Sequence, residues 1–240
     1  MIELRTLGVL EIQRSTAGER ESIPLQTKRM ALLAYLTPSS TRQLRRRDSI
    51  LGLFWPGLDQ EHARGALRQA LHALRRALGR DAVITRGEEE VGLDPKLVHS
   101  DVEAMESAVR DGRPTDALAV YGGDFLDGVF ISDASSELEE WIATERVRLR
   151  RLAARAAWAA AARGSDRGTT GEFVRRAVAL SGIDERALRR GLEVLDRLGD
   201  RAGAVALHAE FAERVRRDLG VELSPETQAV VQAIRVRPGQ

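Results

Sequence analysis

The residues best suited to chemistry with a partner lie on one segment, residues 60–78. Apolar residues recur through it at intervals of three and four, which predicts an amphipathic helix with one buried face. At steps of four, four and three, the opposite side presents Arg64, Arg68, His72 and Arg75. Arginine forks contact phosphates and the O6 and N7 atoms of guanine, so this basic ridge predicts contact with DNA.

The position of each side chain along the helix indicates its role at DNA. The first turns of a reading helix usually reach base edges, whereas later basic residues hold phosphates. The candidate base contacts are Arg64, Arg68 and Gln69. The candidate phosphate contacts are His72, Arg75 and Arg76. Gly65 lies beside the ridge, and its lack of a side chain lets the backbone approach closely.

Further basic residues flank this helix. Just before or within a predicted second helix stand three candidate clamps for the DNA backbone, Arg45, Arg46 and Arg47. Arg86, which follows the reading helix, completes the candidate DNA-binding set. The alternative interpretation is an ordinary amphipathic helix with a solvated basic face. The charge and the order of the surrounding elements favour DNA.

The net charge of +1 over 240 residues conceals a division along the chain. Residues 27–80 hold 11 basic and 3 acidic residues, a balance of +8, whereas residues 81–140 hold 4 basic and 16 acidic residues, a balance of −12. Because salt screens charges beyond about 10 Å, a polyanion responds to local charge. The basic block favours a nucleic acid. The acidic block is suited to a basic surface of a polymerase or of a second copy, and equally to a solvated linker face.

The elements around the ridge follow the order of a winged helix-turn-helix. Alternating residues predict strands, and helical periodicity with caps predicts helices. Before the ridge, residues 2–13 are predicted as one or two strands broken near Gly8, followed by a polar turn around Gly18 and a strand Ser22–Leu25. The next predicted element is a helix that is capped by Thr27 and ended after Leu36 by Pro38, Ser39 and Ser40. A second helix is predicted between Leu44 and Phe54. After it come Gly79, expected in the left-handed cap position, and a hairpin of Ala82–Thr85 with Val91–Leu93.

From about Asp101 onward the pattern predicts helices almost exclusively. A capping box at Ser136 and Glu139 is predicted to open a helix toward Arg163, and Asp184 is predicted to cap another. Gly199 and Gly220 lie on either side of a further predicted helix, and Ser224-Pro225 starts the last. Gly112–Tyr121 aligns without gaps with Gly199–His208, pairing Ala117 with Ala204 and Ala119 with Ala206. Small residues at such places let antiparallel helices approach, which favours a tetratricopeptide-like (TPR-like) repeat over chance agreement.

Few residues suggest catalysis, a metal site or a membrane. The chain has no cysteine, which excludes disulfides and thiolate sites and suits a reducing cytosol. No P-loop or GxGxxG is present, the four histidines lack ligand spacing, and Asp124, Asp127 and Asp133 lack the spacing of an EF-hand. We therefore expect no enzyme, no cofactor and no metal. The alternating N-terminus is unlike a signal peptide, and no apolar run reaches 18 residues, so we expect a cytoplasmic, nucleoid-associated protein.

In this order, several segments resemble a known family, the SARP-type regulators. The matching segments are Leu7-Gly8, KRMALLAYL, Phe54-Trp55-Pro56, ARGALRQALHALRRALG, Ser100-Asp101-Val102, YGGDFLDG (Tyr121–Gly128), Trp141 with Glu145-Arg146, and the stretch Leu198–Thr227. Such regulators join an OmpR-like winged helix-turn-helix to a bacterial transcriptional activator domain. The resemblance implies a mainly α protein with an α+β winged helix in residues 1–95 and an all-α TPR-like domain in residues 96–240.

The resemblance also implies a function. Such proteins bind promoter DNA sequence-specifically, commonly on direct repeats, and activate transcription by contacting RNA polymerase. The helical domain supports self-association or regulation, which leaves a homodimer open. The alternative is a TPR-type adaptor for protein interactions whose winged helix has degenerated.

One departure concerns the wing. Family wings usually carry Gly-Tyr where this chain has Glu90-Val91, after Glu88 and Glu89. Carboxylates there would repel phosphate. Our hypothesis is that this wing does little work in the minor groove, or that its glutamates pair with Arg86 or another basic group.

Overall fold

The computed structural model describes residues 1–16, 19–37 and 44–236. Within them the strands are β1 (Ile2–Arg5), β2 (Glu11–Thr16), β3 (Glu19–Ser22), β4 (Leu44–Arg46), β5 (Val83–Arg86), β6 (Glu90–Leu93) and β7 (Val98–Ser100). The helices are α1 (Thr27–Leu36), α2 (Arg47–Phe54), α3 (Gln60–Leu78), α4 (Asp101–Arg110), α5 (Pro114–Val120), α6 (Ser136–Arg163), α7 (Arg167–Leu180), α8 (Glu185–Arg197), α9 (Arg201–Leu219) and α10 (Pro225–Val236). The expected winged helix-turn-helix followed by helices is confirmed.

The chain divides into two compact units. The N-terminal unit comprises Met1–Asp111 and Ala119–Leu149, and the C-terminal unit comprises Gly112–Leu118 and Arg150–Gln240. The first half of helix α6 thus belongs to the N-terminal unit and its second half to the C-terminal unit. The domain boundary after residue 95 stays a prediction.

The N-terminal unit contains two small sheets, helices α1 to α4 and the first half of α6. The first has the order β3-β2-β1-β7, in which β7 runs parallel to β1 and the other neighbours are antiparallel. The second has the order β4-β6-β5. Helix α1 is buried from Met30 to Leu36, because its apolar residues cover most of its circumference and it lies at the centre of the core.

Several boundaries differ from the sequence predictions. The third strand is Glu19–Ser22 rather than Ser22–Leu25, and all four of its residues are exposed, so only its pairing with β2 defines it. Thr27 is the first residue of α1 rather than its cap. Strands β4 and β7 were not predicted. The expected turn at Gly18 and the stop at Pro38, Ser39 and Ser40 lie outside the described residues.

Close backbone contact joins the end of β1 to the segment before α6. Gly8 N donates to the Asp124 carbonyl over 3.0 Å, and Leu126 N donates to the Thr6 carbonyl over 2.9 Å. Gly8 has φ +87°, and a Cβ there would lie 2.7 Å from the carbonyl carbon of Gly122. Only glycine satisfies both the positive φ and the contact.

The carboxylate of Asp101 provides a second link to the same turn. It accepts hydrogen bonds from Thr6 N (2.6 Å), Leu7 N (2.7 Å) and Thr6 Oγ1 (2.8 Å). Burial raises the pKa of Asp101, and the bonds from Leu7 and Thr6 oppose that rise. Ser100 caps α4 by accepting from Glu103 N. The Ser100-Asp101 pair therefore starts α4 and fixes the end of β1 at once.

Aromatic rings hold the first half of α6 in the N-terminal unit. The ring of Trp141 meets Tyr35 edge-on at 4.9 Å and Phe125 at 5.7 Å between centroids. Arg146 Nε donates to the Phe125 carbonyl over 2.7 Å. The cap of α6 is Ser135, whose hydroxyl accepts from Leu138 N, rather than the predicted Ser136.

The C-terminal unit is a set of packed helices. Gly191 of α8 lets the helix lie against α7, because a Cβ there would be 2.8 Å from Val178 Cγ2. Asp184 caps α8, and Gly199 and Gly220 lie on either side of α9, as expected. Gly220 ends α9 in the left-handed conformation. Of the aligned alanines, Ala117 and Ala204 are buried, whereas Ala119 and Ala206 are exposed. The expected close approach therefore applies to the first pair alone. Among the described residues no helix is both long and apolar enough to cross a membrane.

Gly8→Ala tests whether the crossing at Gly8 stabilises the fold. We expect the free energy of unfolding to fall by about 2–4 kcal/mol, from the positive φ and the overlap with Gly122. Urea unfolding followed by circular dichroism measures the change. Gly57→Ala is the matched control, because no atom lies within 4 Å of a Cβ at that position. Equal losses in the two variants would refute the role given to Gly8.

Candidate nucleic-acid interface

Helix α3 is fixed in the N-terminal unit by one continuous apolar face. The buried residues of this face are Ala63, Leu67, Ala70, Leu71, Leu74 and Leu78. They recur at intervals of three and four, as the sequence predicts, so the helix can rotate neither way without exposing leucines. The opposite side is thereby held toward solvent.

The solvent side of α3 presents the predicted ridge. Exposed on it are Arg64, Arg68, Gln69, His72 and Arg76, and Arg75 is half-buried. No carboxylate in the part of the chain that the structure describes forms an ion pair with these arginines or with His72. The ridge is thus a row of cations without internal neutralisation. A Cβ at Gly65 would meet one atom within 4 Å, Arg68 Nη2 at 3.9 Å, so the backbone there is open to a close approach.

Both ends of α3 are fixed by polar contacts. Asp59 caps the first turn by accepting from His62 N over 3.0 Å, and its other oxygen lies 2.7 Å from the His62 Nδ1 atom. The bond from the His62 backbone is the main reason why the pKa of Asp59 lies below its usual value. At the other end, the guanidinium of Arg14 on β2 donates to the Ala77 carbonyl. Sequence reasoning missed Arg14, because no local signal indicates a contact across 63 residues.

The end of the helix differs from the prediction. Gly79 has φ +107° and ψ 151°, which is a positive φ but not the left-handed helical conformation that was expected.

The three arginines before α2 have different surroundings. Arg45 Nε donates to the Tyr35 carbonyl over 3.1 Å, and its guanidinium lies 4.6 Å from the centre of the Tyr35 ring. Arg46 is exposed and pairs with Asp48 at 3.8 Å. The Nε atom of Arg47 is buried and has no hydrogen-bond partner in the described chain. Arg45 therefore supports α1, whereas Arg46 is the member of the group that reaches solvent most directly.

The hairpin of β5 and β6 forms the predicted wing. Arg86 and Glu90 lie opposite each other across the hairpin and form an ion pair. Glu88 and Glu89 at the tip are exposed. One glutamate of the wing is thus neutralised by Arg86, and the two at the tip are not neutralised by a basic group in the described ranges.

Comparison with known protein families decides the class of the chain. Residues 93–235 match the family model of the bacterial transcriptional activator domain, which is more than half of the chain. The chain belongs to this family. The resemblance to SARP-type regulators is thereby confirmed, and the family is one of transcriptional regulators rather than enzymes. The matched region begins at Leu93, the last residue of β6.

Among solved structures, the chain is similar to Mycobacterium tuberculosis EmbR in complex with a low affinity phosphopeptide. The TM-score is 0.60 and the identity 16%, over 100% of this chain and 66% of that chain. This likeness supports the fold, and the chain spans about two thirds of the length of the EmbR chain. Comparison with curated proteins found no match.

Substitution of Asp59 tests the cap that orients the first turn of α3. Asp59→Ala is expected to lower the melting temperature by a few degrees at pH 7, because the His62 N–H loses its acceptor. A carboxylate with a lowered folded pKa stabilises the protein above its unfolded pKa of about 4. That contribution disappears as the pH falls through the folded pKa. The difference from the unsubstituted protein should therefore shrink in acid.

Asp59→Asn is the control for this experiment. Asparagine caps helices as well as aspartate, so this variant should keep the melting temperature at pH 7. Differential scanning calorimetry at several pH values makes the comparison. If Asn lowers the melting temperature as much as Ala, the cap is not the source of the effect.

Proposed function

We propose that the chain is a sequence-specific DNA-binding regulator of transcription that activates promoters. The observation that carries this proposal is the solvent side of α3, where exposed arginines lie in a row without carboxylate partners. A cation that the protein leaves unneutralised at its surface is free to replace the counterions of a phosphate backbone. The order of elements around α3, with a wing after it, is that of helices that enter the major groove.

The roles along α3 follow from the distance to its N-terminus. Arg64, Arg68 and Gln69 lie on the first three turns and are assigned to base edges. His72, Arg75 and Arg76 lie on the later turns and are assigned to phosphates, together with Arg46. The Nε atom of Arg45 donates to the Tyr35 carbonyl. We therefore assign Arg45 to supporting the fold behind the interface rather than to a direct contact with DNA.

The acidic part of the N-terminal unit is suited to RNA polymerase. Phe130 is 78% exposed, and exposed carboxylates precede and follow it at Asp127 and Asp133. Lys28 Nζ donates to the Ser132 carbonyl over 3.0 Å and thereby holds this loop. An aromatic side chain among carboxylates complements an apolar pocket with a basic rim. We assign contact with RNA polymerase to this loop. We further propose that a pair of copies of the chain binds direct repeats, and that the protein acts at the nucleoid in the cytoplasm.

The second candidate is an adaptor that binds proteins and no DNA. One observation favours it, namely the exposed Glu88 and Glu89 at the tip of the wing, where other winged helices approach phosphate. The unpaired arginines of α3 oppose it, because an adaptor has no need of an unneutralised cationic row.

A salt series on the promoter fragment beside its own gene separates the two candidates. If about 4–6 phosphates are contacted, log affinity falls with log salt at a slope of about −4 to −5. Fluorescence anisotropy measures it, with a random duplex of equal length as the reference. A flat salt response, or equal affinity for both duplexes, favours the adaptor.

Arg68→Ala tests the reading of bases by α3. We expect a loss of about 1–3 kcal/mol on the specific site and a much smaller loss on random DNA. Arg76→Ala is the matched control, since a phosphate contact weakens binding to both duplexes alike and reduces the salt slope by about 1. If Arg68→Ala weakens both duplexes equally, Arg68 does not read a base.

A further inference from the structure

The C-terminal unit carries a second group of unpaired arginines. Its members are Arg151 and Arg155 on α6 with Arg186 and Arg190 on α8, and all four are exposed. None of them forms an ion pair with a carboxylate of the described chain. Other arginines of this unit are neutralised, such as Arg175 by Asp200 and Arg217 by Asp218. Exposed arginines elsewhere in this unit, such as Arg167 and Arg197, also form no ion pair with a described carboxylate, so the four are distinguished by their arrangement on two helices around one ring.

The geometry brings the two helices together at one aromatic ring. The guanidinium of Arg190 lies over the ring of Trp158, 4.0 Å from its centre. Trp158 follows Arg155 by three residues and Arg151 by seven, so all three lie on one side of α6. Arg186 precedes Arg190 by four residues on α8. Arg151 and Arg155 thus form one column on α6, and Arg186 and Arg190 form a second column on α8, each with a step of about one turn. The two columns meet at the half-buried ring of Trp158.

The spacing of the columns selects the form of an anionic ligand. Four residues of α-helix rise about 6 Å. Alternate residues of an extended peptide are separated by about 6.6 Å and point to the same side. Carboxylates at every second position of an extended segment therefore match arginines one turn apart, and apolar side chains of such a segment can contact the exposed edge of Trp158.

We propose that this surface, termed here the Arg–Trp surface (Arg151, Arg155, Trp158, Arg186 and Arg190), binds an extended acidic segment of a partner protein. Charge complementarity carries the argument, because four exposed guanidinium groups without carboxylate partners in the described chain favour an anionic occupant. The ring favours a peptide over a phosphate backbone, since apolar side chains of a peptide can contact Trp158 while its carboxylates meet the arginines. Glu193 lies three residues after Arg190, outside ion-pair distance, and limits the surface on that side. The proposal is independent of what α3 binds.

The experiment uses the full chain and two fluorescein-labelled peptides of equal composition. In the first, Glu and Ala alternate over ten residues, and in the second, five Glu precede five Ala. Fluorescence anisotropy at moderate salt should show the alternating peptide bound at least tenfold more tightly than the block peptide. The double variant Arg155→Glu with Arg190→Glu should reduce binding of the alternating peptide by at least tenfold.

Two further variants make the test specific. Arg217→Glu changes an exposed but paired arginine, so it should leave the affinity for the peptide within about twofold. The double variant Arg155→Gln with Arg190→Gln keeps a long polar side chain and removes the charge, so it should weaken binding without disturbing the fold. Circular dichroism melting confirms that each variant is folded.

Three results would overturn the proposal. The first is equal affinity for the two peptides. The second is an equal loss of affinity for the alternating peptide in Arg217→Glu and in the Arg155 and Arg190 double variants. The third is displacement of the peptide by random duplex DNA together with loss of DNA affinity in the double variants, which would make the Arg–Trp surface a nucleic-acid surface. Because the α3 variants leave these residues intact, failure here and failure of DNA binding are distinguishable.

Discussion

The N-terminal unit depends on satisfying the backbone where β1 ends. At Thr6 and Leu7 the strand leaves the sheet, and their N–H groups need acceptors because a buried unpaired donor costs about 1–3 kcal/mol. Asp101 supplies both with one carboxylate at 2.6 and 2.7 Å, and Gly8 then crosses the Gly122-Gly123 backbone too closely for any side chain. Three stretches of sequence, around residues 7, 101 and 123, are therefore joined at one place.

The same arrangement explains how the candidate interface is held. Arg14 lies on β2, which pairs with β1, and its guanidinium reaches the last turn of α3 at the Ala77 carbonyl. The apolar face of α3 packs in the same unit, and Asp59 caps its first turn. The exposed arginines need no contacts of their own to be oriented, because the backbone beneath them is fixed at both ends. Binding to a phosphate backbone therefore has to order the arginine side chains but not the helix that carries them.

The sequence predicted best what depends on local chemistry. Residues 60–78 were predicted as a helix and form one, because a cap, helical periodicity and a following glycine agree there. Strands β3, β4 and β7 were displaced or missed, since each has three or four residues and is defined by its partner rather than by its own alternation. The contacts of Arg45 with Tyr35 and of Asp101 with Thr6 were also out of reach, because no local pattern encodes a meeting of distant residues. The basic ridge of α3 was predictable from the sequence, whereas the contacts between distant residues that support the N-terminal unit were not.

Pairing distinguishes the arginines of this chain more sharply than exposure does. An exposed ion pair contributes little to stability, yet it neutralises its arginine and removes it as a site for an outside anion. Arg217 beside Asp218 is such a residue. The arginines of α3 and of the Arg–Trp surface are unpaired among the described residues, and all but the half-buried Arg75 are exposed, although the whole chain has a net charge of only +1 and 36 carboxylates. In a chain so nearly neutral, groups of cations stay unpaired only where the carboxylates are placed elsewhere. The two groups are the surfaces to which we assign anionic partners, α3 to DNA and the Arg–Trp surface to an acidic segment.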